Sequence, residues 1–430
     1  NATAITSGYS NTLLGHSSGV ALVDGHSNTC VGVSSGDALT SGHENVYIGP
    51  NAGGTATTAG YNICIGNGAG NGGLTTGDHN IVMGHAAGDA LTSAANSIMI
   101  GQSSGTSMTT GANNVAVGSE TLYFCEAGAG NTAVGGLALK ALVDASNNTA
   151  VGYAAADAIT SGTTVVAVGN GALGAMTSGS DNVAVGVGAG GAVTTHQYNT
   201  FLGHQSGRLC TDNQNVSVGA YSFYDATSAT NTVCVGGWAG ENITTGDANT
   251  IVGKSAASSL QTGNNNTCIG YQAGDALTTG GNNIVIGNGA DASAVDVSNT
   301  VTLGSSSMGV LRCQQTSITA LSDRRDKKDI KDLDVGLDFI NTLHPVKFTW
   351  NMRDGAKVDI KEAGFIAQEL DESQNKFDAE EYLQLVLKDN PEKLEAAMGK
   401  LMPSMVKAVQ ELSAEIEELK KWKEEHTCCG

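Results

Sequence analysis

Proline is nearly missing from these 430 residues, with four in all, and aromatic side chains make up only 5%. The first shortage excludes collagen-like and proline-rich linker segments. The second excludes a wide core filled with large rings. Basic residues are scarcer still in the N-terminal part, where residues 1–310 hold three against seventeen acidic ones. With a net charge of −20, the chain offers no cationic face for nucleic-acid phosphates, so no nucleic-acid partner is expected. No apolar run approaches the roughly 18 residues of a membrane span, so no membrane insertion is expected either. The opening NATAITSGYSNTLLG lacks the basic and apolar regions of a signal peptide. Export by lysis or another route, or a trimmed end, is the corresponding expectation.

Glycine is what the chain has instead, with 59 residues, accompanied by Asn, Thr and small apolar side chains. Such a composition fits a narrow core made of many thin layers. The nine cysteines show no metal-ligand spacing, and neither metal nor cofactor is expected. Cys30, Cys64, Cys234 and Cys268 sit inside apolar triplets such as NTCVG and NICIG, where a thiol acts as a small hydrophobe. Cys428 and Cys429 end the chain beside a predicted helix, as a cross-link, an anchor or a plain tail.

One motif, Asn-x-x-(Ile/Val/Leu)-Gly, returns through the first three hundred residues, with some copies imperfect. Its eighteen glycines run from Gly15, Gly32 and Gly49 to Gly270, Gly287 and Gly304. Of the seventeen intervals, fifteen are 17 residues long, one is 18 and one is 16. Each unit reads as two short strands. The first is NTAVG-like, with Val115 and Val117 in period two. The second is ALTTG-like, as in Ala38-Leu39-Thr40 and Ala90-Leu91-Thr92. Two strands and two corners make one coil of a parallel β-solenoid, and eighteen coils at about 4.8 Å make a rod of roughly 85 Å. Asn45, Asn62, Asn80, Asn114, Asn131, Asn182 and Asn199 share one corner, where a side-chain ladder can satisfy backbone groups.

The NVAVGxxAG and NTAVG units with their following LTTG resemble the head repeats of trimeric autotransporter adhesins and similar repeats in phage tail fibres. The resemblance covers about residues 8–305, although a 17-residue unit is longer than the adhesin repeat. It implies a trimer of left-handed parallel β-rolls, whereas the periodicity alone suits a single-chain solenoid equally well.

Several strings along the repeat imitate chemistry. Gly66-Asn67-Gly68-Ala69-Gly70 has no βαβ context, and Gly253-Lys254-Ser255 has Ala248 where a phosphate loop needs Gly. His16, His85 and His204 each follow a repeat glycine but lie in distant coils. The Thr pairs, such as Thr57-Thr58 and Thr109-Thr110, form a column of the kind ice-binding solenoids use, or simply suit a wet strand face. Aromatics gather at Leu122-Tyr123-Phe124-Cys125, at Tyr221-Ser222-Phe223-Tyr224 and at Trp238. They read either as an exposed carbohydrate or partner site or as inward plugs.

Composition changes near residue 310. Residues 311–430 hold 24 acidic and 18 basic residues. Leu321-Ser322-Asp323-Arg324-Arg325-Asp326-Lys327-Lys328-Asp329-Ile330, Leu343-His344-Pro345-Val346-Lys347-Phe348-Thr349-Trp350 and Gly364-Phe365-Ile366-Ala367-Gln368-Glu369-Leu370 follow in order. Together they resemble the intramolecular chaperone domain of phage endosialidase tailspikes, found also in other phage fibres and in a membrane-tethered animal transcription factor. The resemblance covers about residues 320–426. It implies trimerisation of the client chain and one self-cleavage at Ser322 by a Ser322–Lys327 dyad, with Asp323 and Gln368 in support. Ser322-Asp323 reads alternatively as a helix cap. Beyond that single turnover no enzymatic activity is expected; a glycan depolymerase would need a paired-carboxylate cleft.

Met405, Val409, Leu412, Ile416 and Leu419 form a heptad seam. The expected organisation is a mainly β fold with a fibre over 1–305, a linker over 306–320 and an α+β chaperone domain over 321–400. A trimeric coiled-coil helix over 401–426 and a tail over 427–430 complete it. The expected role is a homotrimeric host-recognition fibre of virion tail-fibre type, with virion proteins and a host-surface receptor, a glycan among the candidates, as partners. A cellular adhesin or filament of the same fold, and an ice-binding solenoid, are the alternatives.

Overall fold

The Asn-x-x-Val-Gly motif becomes one three-residue strand and the corner that follows it. A computed structural model describes residues 6–72, 74–308, 310–312, 322–353 and 357–427; Cys313, Cys428 and Cys429 lie outside these. The chain separates into two compact units, Asn1–Leu303 and Gly304–Gly430. Among the described residues of the first unit, eighteen strands run from β1 (Thr12–Leu14) to β18 (Val301–Leu303). Each pairs in parallel with the next, one repeat later, so that Thr12 faces Thr29 and Val166 faces Val183. The first unit is therefore a parallel β-solenoid of eighteen coils.

The expected second strand does not form. The ALTT segments are turns and bends, and the single sheet is the one built by the first strand. The reason lies in the hydrogen bonds. Both Thr40 N and Ser41 N donate to Thr57 O, at 2.9 and 3.3 Å, so two donors share one acceptor. The segments stack coil on coil, but no alternating ladder can propagate.

Register is held by asparagine. Asn148 Oδ1 accepts the N–H of Val165 at 3.0 Å, and Asn148 Nδ2 donates to Gly162 O at 2.9 Å. The same pair of bonds recurs at Asn28, Asn45 and Asn266. A side chain thus satisfies buried backbone groups where the chain turns, which is the ladder the sequence suggests. Ser97 and Thr232 substitute as acceptors for the N–H groups of Asn114 and Asn249. The 16-residue coil absorbs its missing residue at this corner: Asn199 Nδ2 reaches Asp212 O, thirteen residues on instead of fourteen. Strand register is untouched, with Thr200 opposite Val216.

The repeat glycine is fixed by both conformation and space. Gly152 has φ 137°, and a Cβ there would lie 2.6 Å from the carbonyl carbon and oxygen of Gly169 in the next coil. Only hydrogen fits.

Three inward columns fill the core, and their sizes compensate within a coil. The central strand residue faces the residue six positions later. Where the centre is large, its partner is glycine, as in Leu13/Gly19, Tyr47/Gly53, Met99/Gly105 and Phe201/Gly207. In four coils whose centre is Ala or Ser the partner grows, as in Ala116/Leu122, Ala133/Leu139, Ala167/Leu173 and Ser217/Phe223, all buried. Ala150/Ala156 and Ala184/Gly190 stay small, Gly190 lying against Phe201 and Leu173 of the adjacent coils. The third column adjusts too: Ala56 shares the coil of Tyr47 and Ala226 that of Phe223. Close packing in so thin a layer is met within the coil or, as at Gly190, by large side chains of the coils on either side. Cys30, Cys64, Cys234 and Cys268 occupy the central column as free, buried thiols.

In the second unit, Val335, Phe339, Leu370, Ala379, Leu383, Leu385, Val386 and Leu401 form the core, with Phe339 edge-on to Phe377. They come from α1 (Leu337–Ile340), α2 (Ala367–Lys376), α3 (Glu380–Leu383), β21 (Val386–Leu387) and neighbouring turns. An antiparallel pair, β19 (Val346–Asn351) and β20 (Val358–Gly364), stands largely in solvent. The 26-residue α4 (Met402–Thr427) closes the chain.

Two faces of α4 do different things. Ser404 and Ala408 are buried, and Glu411 Oε2 accepts the N–H of Leu337 at 2.6 Å at the start of α1. Met405, Val409, Leu412, Ile416 and Leu419, the heptad seam, are all exposed.

Candidate functional site

Ser322 and Lys327 are brought together by a single turn. Asp323 caps a 3-10 turn over Arg324–Asp326, its Oδ1 accepting Arg325 N at 2.9 Å, and Lys327 N donates back to Arg324 O. One turn therefore fits between the two residues and returns the lysine to the serine. Lys327 Nζ donates to Ser322 Oγ at 2.6 Å. Serine becomes a nucleophile when a neighbouring base takes its proton, and a lysine acts as that base only when desolvation leaves it neutral. Both residues are exposed in the single chain, so the contact is in place and the desolvation is not.

Asp323 faces Arg325 rather than Lys327. Its Oδ2 lies 2.6 Å from Arg325 Nη2, and that hydrogen bond holds its carboxyl below the usual range. Asp323 thereby caps the turn that separates the two residues. Gln368, exposed in the first turn of α2, lines an open recess of about 530 Å³ with Trp350, Arg353, Asn390 and Glu392. Neither Ser322 nor Lys327 lines that recess. His344 Nδ1 lies 3.2 Å from Glu369 beside it.

Residues 322–379 match the family model described as a chaperone of endosialidase. The matched segment begins at Ser322 and ends at Ala379 in the small core, leaving the solenoid and α4 outside it. No curated protein matches the chain. No solved structure matches it either. Within the matched segment, Gln374 was not singled out by sequence reasoning. It is fully buried, with Oε1 accepting Leu385 N at 2.8 Å and Nε2 donating to Asp371 Oδ1 at 2.8 Å. A glutamine in the last turn of a helix carries no pattern that announces such a clamp.

On the solenoid, the threonine column is engaged with its own backbone. Thr40, Thr92, Thr109 and Thr160 each donate Oγ1 to the carbonyl of the next coil. The aromatic coils split between the two readings. Leu122, Cys125 and Phe223 point inward, while Phe124 and Trp238 are 48% and 39% exposed. Rings also meet from coil to coil: Tyr9, His26, His43, Tyr61 and His79 follow one another at 4.7–5.1 Å between centroids, stacked except for the edge-on contact of His43 with Tyr61. Of the histidines that follow a repeat glycine, His16 bonds Ser17 and His204 packs against Tyr221. No group of three potential metal ligands gathers among the described residues, and no helix among them is long and apolar enough to cross a membrane.

Proposed function

We propose that the chain is a homotrimeric attachment fibre of virion tail-fibre type, aligned by its C-terminal chaperone segment, which then cuts the chain at Ser322. The outer face of the eighteen-stranded sheet carries this reading. Every first and third strand position is Val, Ile, Leu, Met or Thr, and the third position is apolar in all eighteen coils. Leu14, Ile48, Ile100, Val185, Val252, Ile269 and Leu303 are exposed along it. An uncharged strip about 85 Å long is far larger than a solvated face needs, and a second and third copy of the same strip fit it by symmetry.

Identical coils explain the need for a clamp. A strip that repeats every 17 residues pairs nearly as well one coil out of step, so register must be set elsewhere. The exposed seam of α4 and the match of residues 322–379 to a chaperone of endosialidase support that role. Subunit contact also supplies the missing desolvation at Lys327. Its neutral amine takes the Ser322 hydroxyl proton while Oγ attacks the adjoining peptide carbonyl. That proton passes to the leaving nitrogen, and water then hydrolyses the ester. The cut thereby depends on assembly. The fibre left behind is protected by a high unfolding barrier rather than by the clamp. A host-surface receptor and other virion proteins are its expected partners.

Denaturing electrophoresis beside light scattering tests both halves. The expectation is a trimer whose chains run below 43.4 kDa, with Ser322→Ala and Lys327→Ala variants trimeric at full length. A monomeric wild type sinks the fibre reading, and a full-length wild type sinks the cleavage.

A further inference from the structure

We propose that Arg208, Tyr224, Tyr221, Trp238 and Lys254 form a binding site for a short carboxylate-bearing oligosaccharide; this rests on the attachment reading above. The solenoid has three basic side chains, and each lies against an aromatic ring. Lys140 lies 6.0 Å from Tyr123, Arg208 5.6 Å from Tyr224 and Lys254 5.5 Å from Trp238. Lys140 is neutralised by Glu120 at 2.7 Å. Among the described residues, no carboxylate comes within ion-pair distance of Arg208 or Lys254. The two uncompensated cations of an acidic rod therefore share one neighbourhood.

The rings between them make that neighbourhood continuous. Tyr224 lies 5.7 Å from Tyr221, and Tyr221 stacks on Trp238 at 5.9 Å with 9° between planes. His204 meets Tyr221 edge-on at 5.1 Å. The result is a strip of cation, three rings and cation that spans four consecutive coils. Arg208 and Lys254 are exposed, and Trp238 is 39% exposed. Arg208 commits Nη1 to the Tyr224 hydroxyl at 2.5 Å, which fixes the guanidinium plane and leaves its remaining donors for a ligand.

The chemistry selects the ligand class. Rings with polar rims suit sugars, whose CH-rich faces and hydroxyls need both kinds of contact. The two cations add charge-assisted hydrogen bonds, which a carboxylate accepts best. A long polyanion is disfavoured because the surrounding coils are acidic. Asp225 and Glu241 lie beside the strip, where burial and Asp225 push the Glu241 carboxyl up. A short ligand with few carboxylates meets the cations without running along the acidic rod.

The test uses the intact fibre on an array of oligosaccharides that pairs each carboxylate-bearing glycan with its neutral counterpart. Tight binding is expected only among the carboxylate-bearing members. Arg208→Gln and Lys254→Gln should each weaken it about tenfold, with Lys140→Gln as a neutral control and thermal melting unchanged in all three. The site is overturned if no carboxylate-bearing glycan exceeds its neutral partner, or if the Arg208→Gln/Lys254→Gln double variant binds like wild type. Attachment of labelled fibre to a panel of bacterial cells separates the two ideas. Equal attachment by wild type and double variant removes the site and leaves the attachment reading; no attachment by either removes the attachment reading, while the array still decides the site.

Discussion

Phe201 fills its coil because Gly207, six residues later, has no side chain: a Cβ on Gly207 would occupy the Phe201 ring, and one on Gly190 would lie 2.7 Å from it. The pair behaves as one volume unit. Gly207→Ala, at φ 58°, is expected to destabilise the solenoid by about 2–4 kcal/mol through overpacking and left-handed strain. Phe201→Ala combined with Gly207→Leu copies the Ala116/Leu122 coil and should recover much of the loss. Chemical denaturation of the single and double variants measures the coupling, and simple additivity would contradict it.

The asparagine ladder should tolerate hydroxyl residues better than alanine. Asn148→Ala orphans the Val165 N–H and the Gly162 carbonyl, both at a buried corner, at about 1–3 kcal/mol for each group. Asn148→Ser keeps an acceptor of the kind Ser97 supplies to Asn114 and should lose roughly half as much. Melting temperatures that rank Ser below Ala would refute this account.

The buried thiols tie stability to alkaline pH. Burial pushes Cys30, Cys64 and Cys268 up to about 12, and Cys125 and Cys210 up to about 11, against an ordinary 9.0. A group that holds its proton more tightly when folded stabilises the fold below its unfolded value. That stability is lost as pH rises from about 9 through 11 to 12. Unfolding free energy should therefore fall above about pH 9. At pH 8, thiol alkylation of the native fibre should leave these five and Cys234 unlabelled, read by mass spectrometry.

Lys327→Arg separates a base from a mere hydrogen-bond donor. Arginine can still reach Ser322 Oγ but cannot become neutral. Cleavage should drop below detection while trimer formation persists, as read by electrophoresis with and without denaturation. Cleavage at the wild-type rate would remove Lys327 from the base role.

The two faces of α4 predict two phenotypes. Glu411→Ala removes the acceptor for Leu337 N and should cost the second unit about 1 kcal/mol, while Glu411→Gln retains most of it. Leu412→Ser and Leu419→Ser lie on the exposed seam and should leave that unit's melting unchanged while weakening association. Sedimentation and circular dichroism read the two effects separately.

Much of the solenoid was legible because translation along its axis repeats in the sequence. Eighteen registered glycines imply eighteen coils, and the ladder at Asn45 and Asn62 follows from their shared corner. The reciprocal sizes of positions such as Ala116 and Leu122 were also written there, though only the fold reveals that they face each other. The ALTT segment reads as a second strand because Leu and Thr suit a strand and a stacked turn equally. Only the hydrogen bonds shared at Thr57 distinguish them.

The sequence by itself determined the coil count, the glycine and asparagine columns, the change of composition near residue 310 and the five-residue spacing from Ser322 to Lys327. All of these are local or periodic, so neighbouring residues carry the information. Tertiary structure alone decided that the Asp323-capped turn closes that spacing to 2.6 Å, and that Gln368 lies at a recess elsewhere. It alone decided that Arg208 and Lys254, 46 positions apart, flank one continuous strip of rings. Coil stacking sets residues whole repeats apart side by side, and which side chains then touch depends on ring orientations that no periodicity encodes.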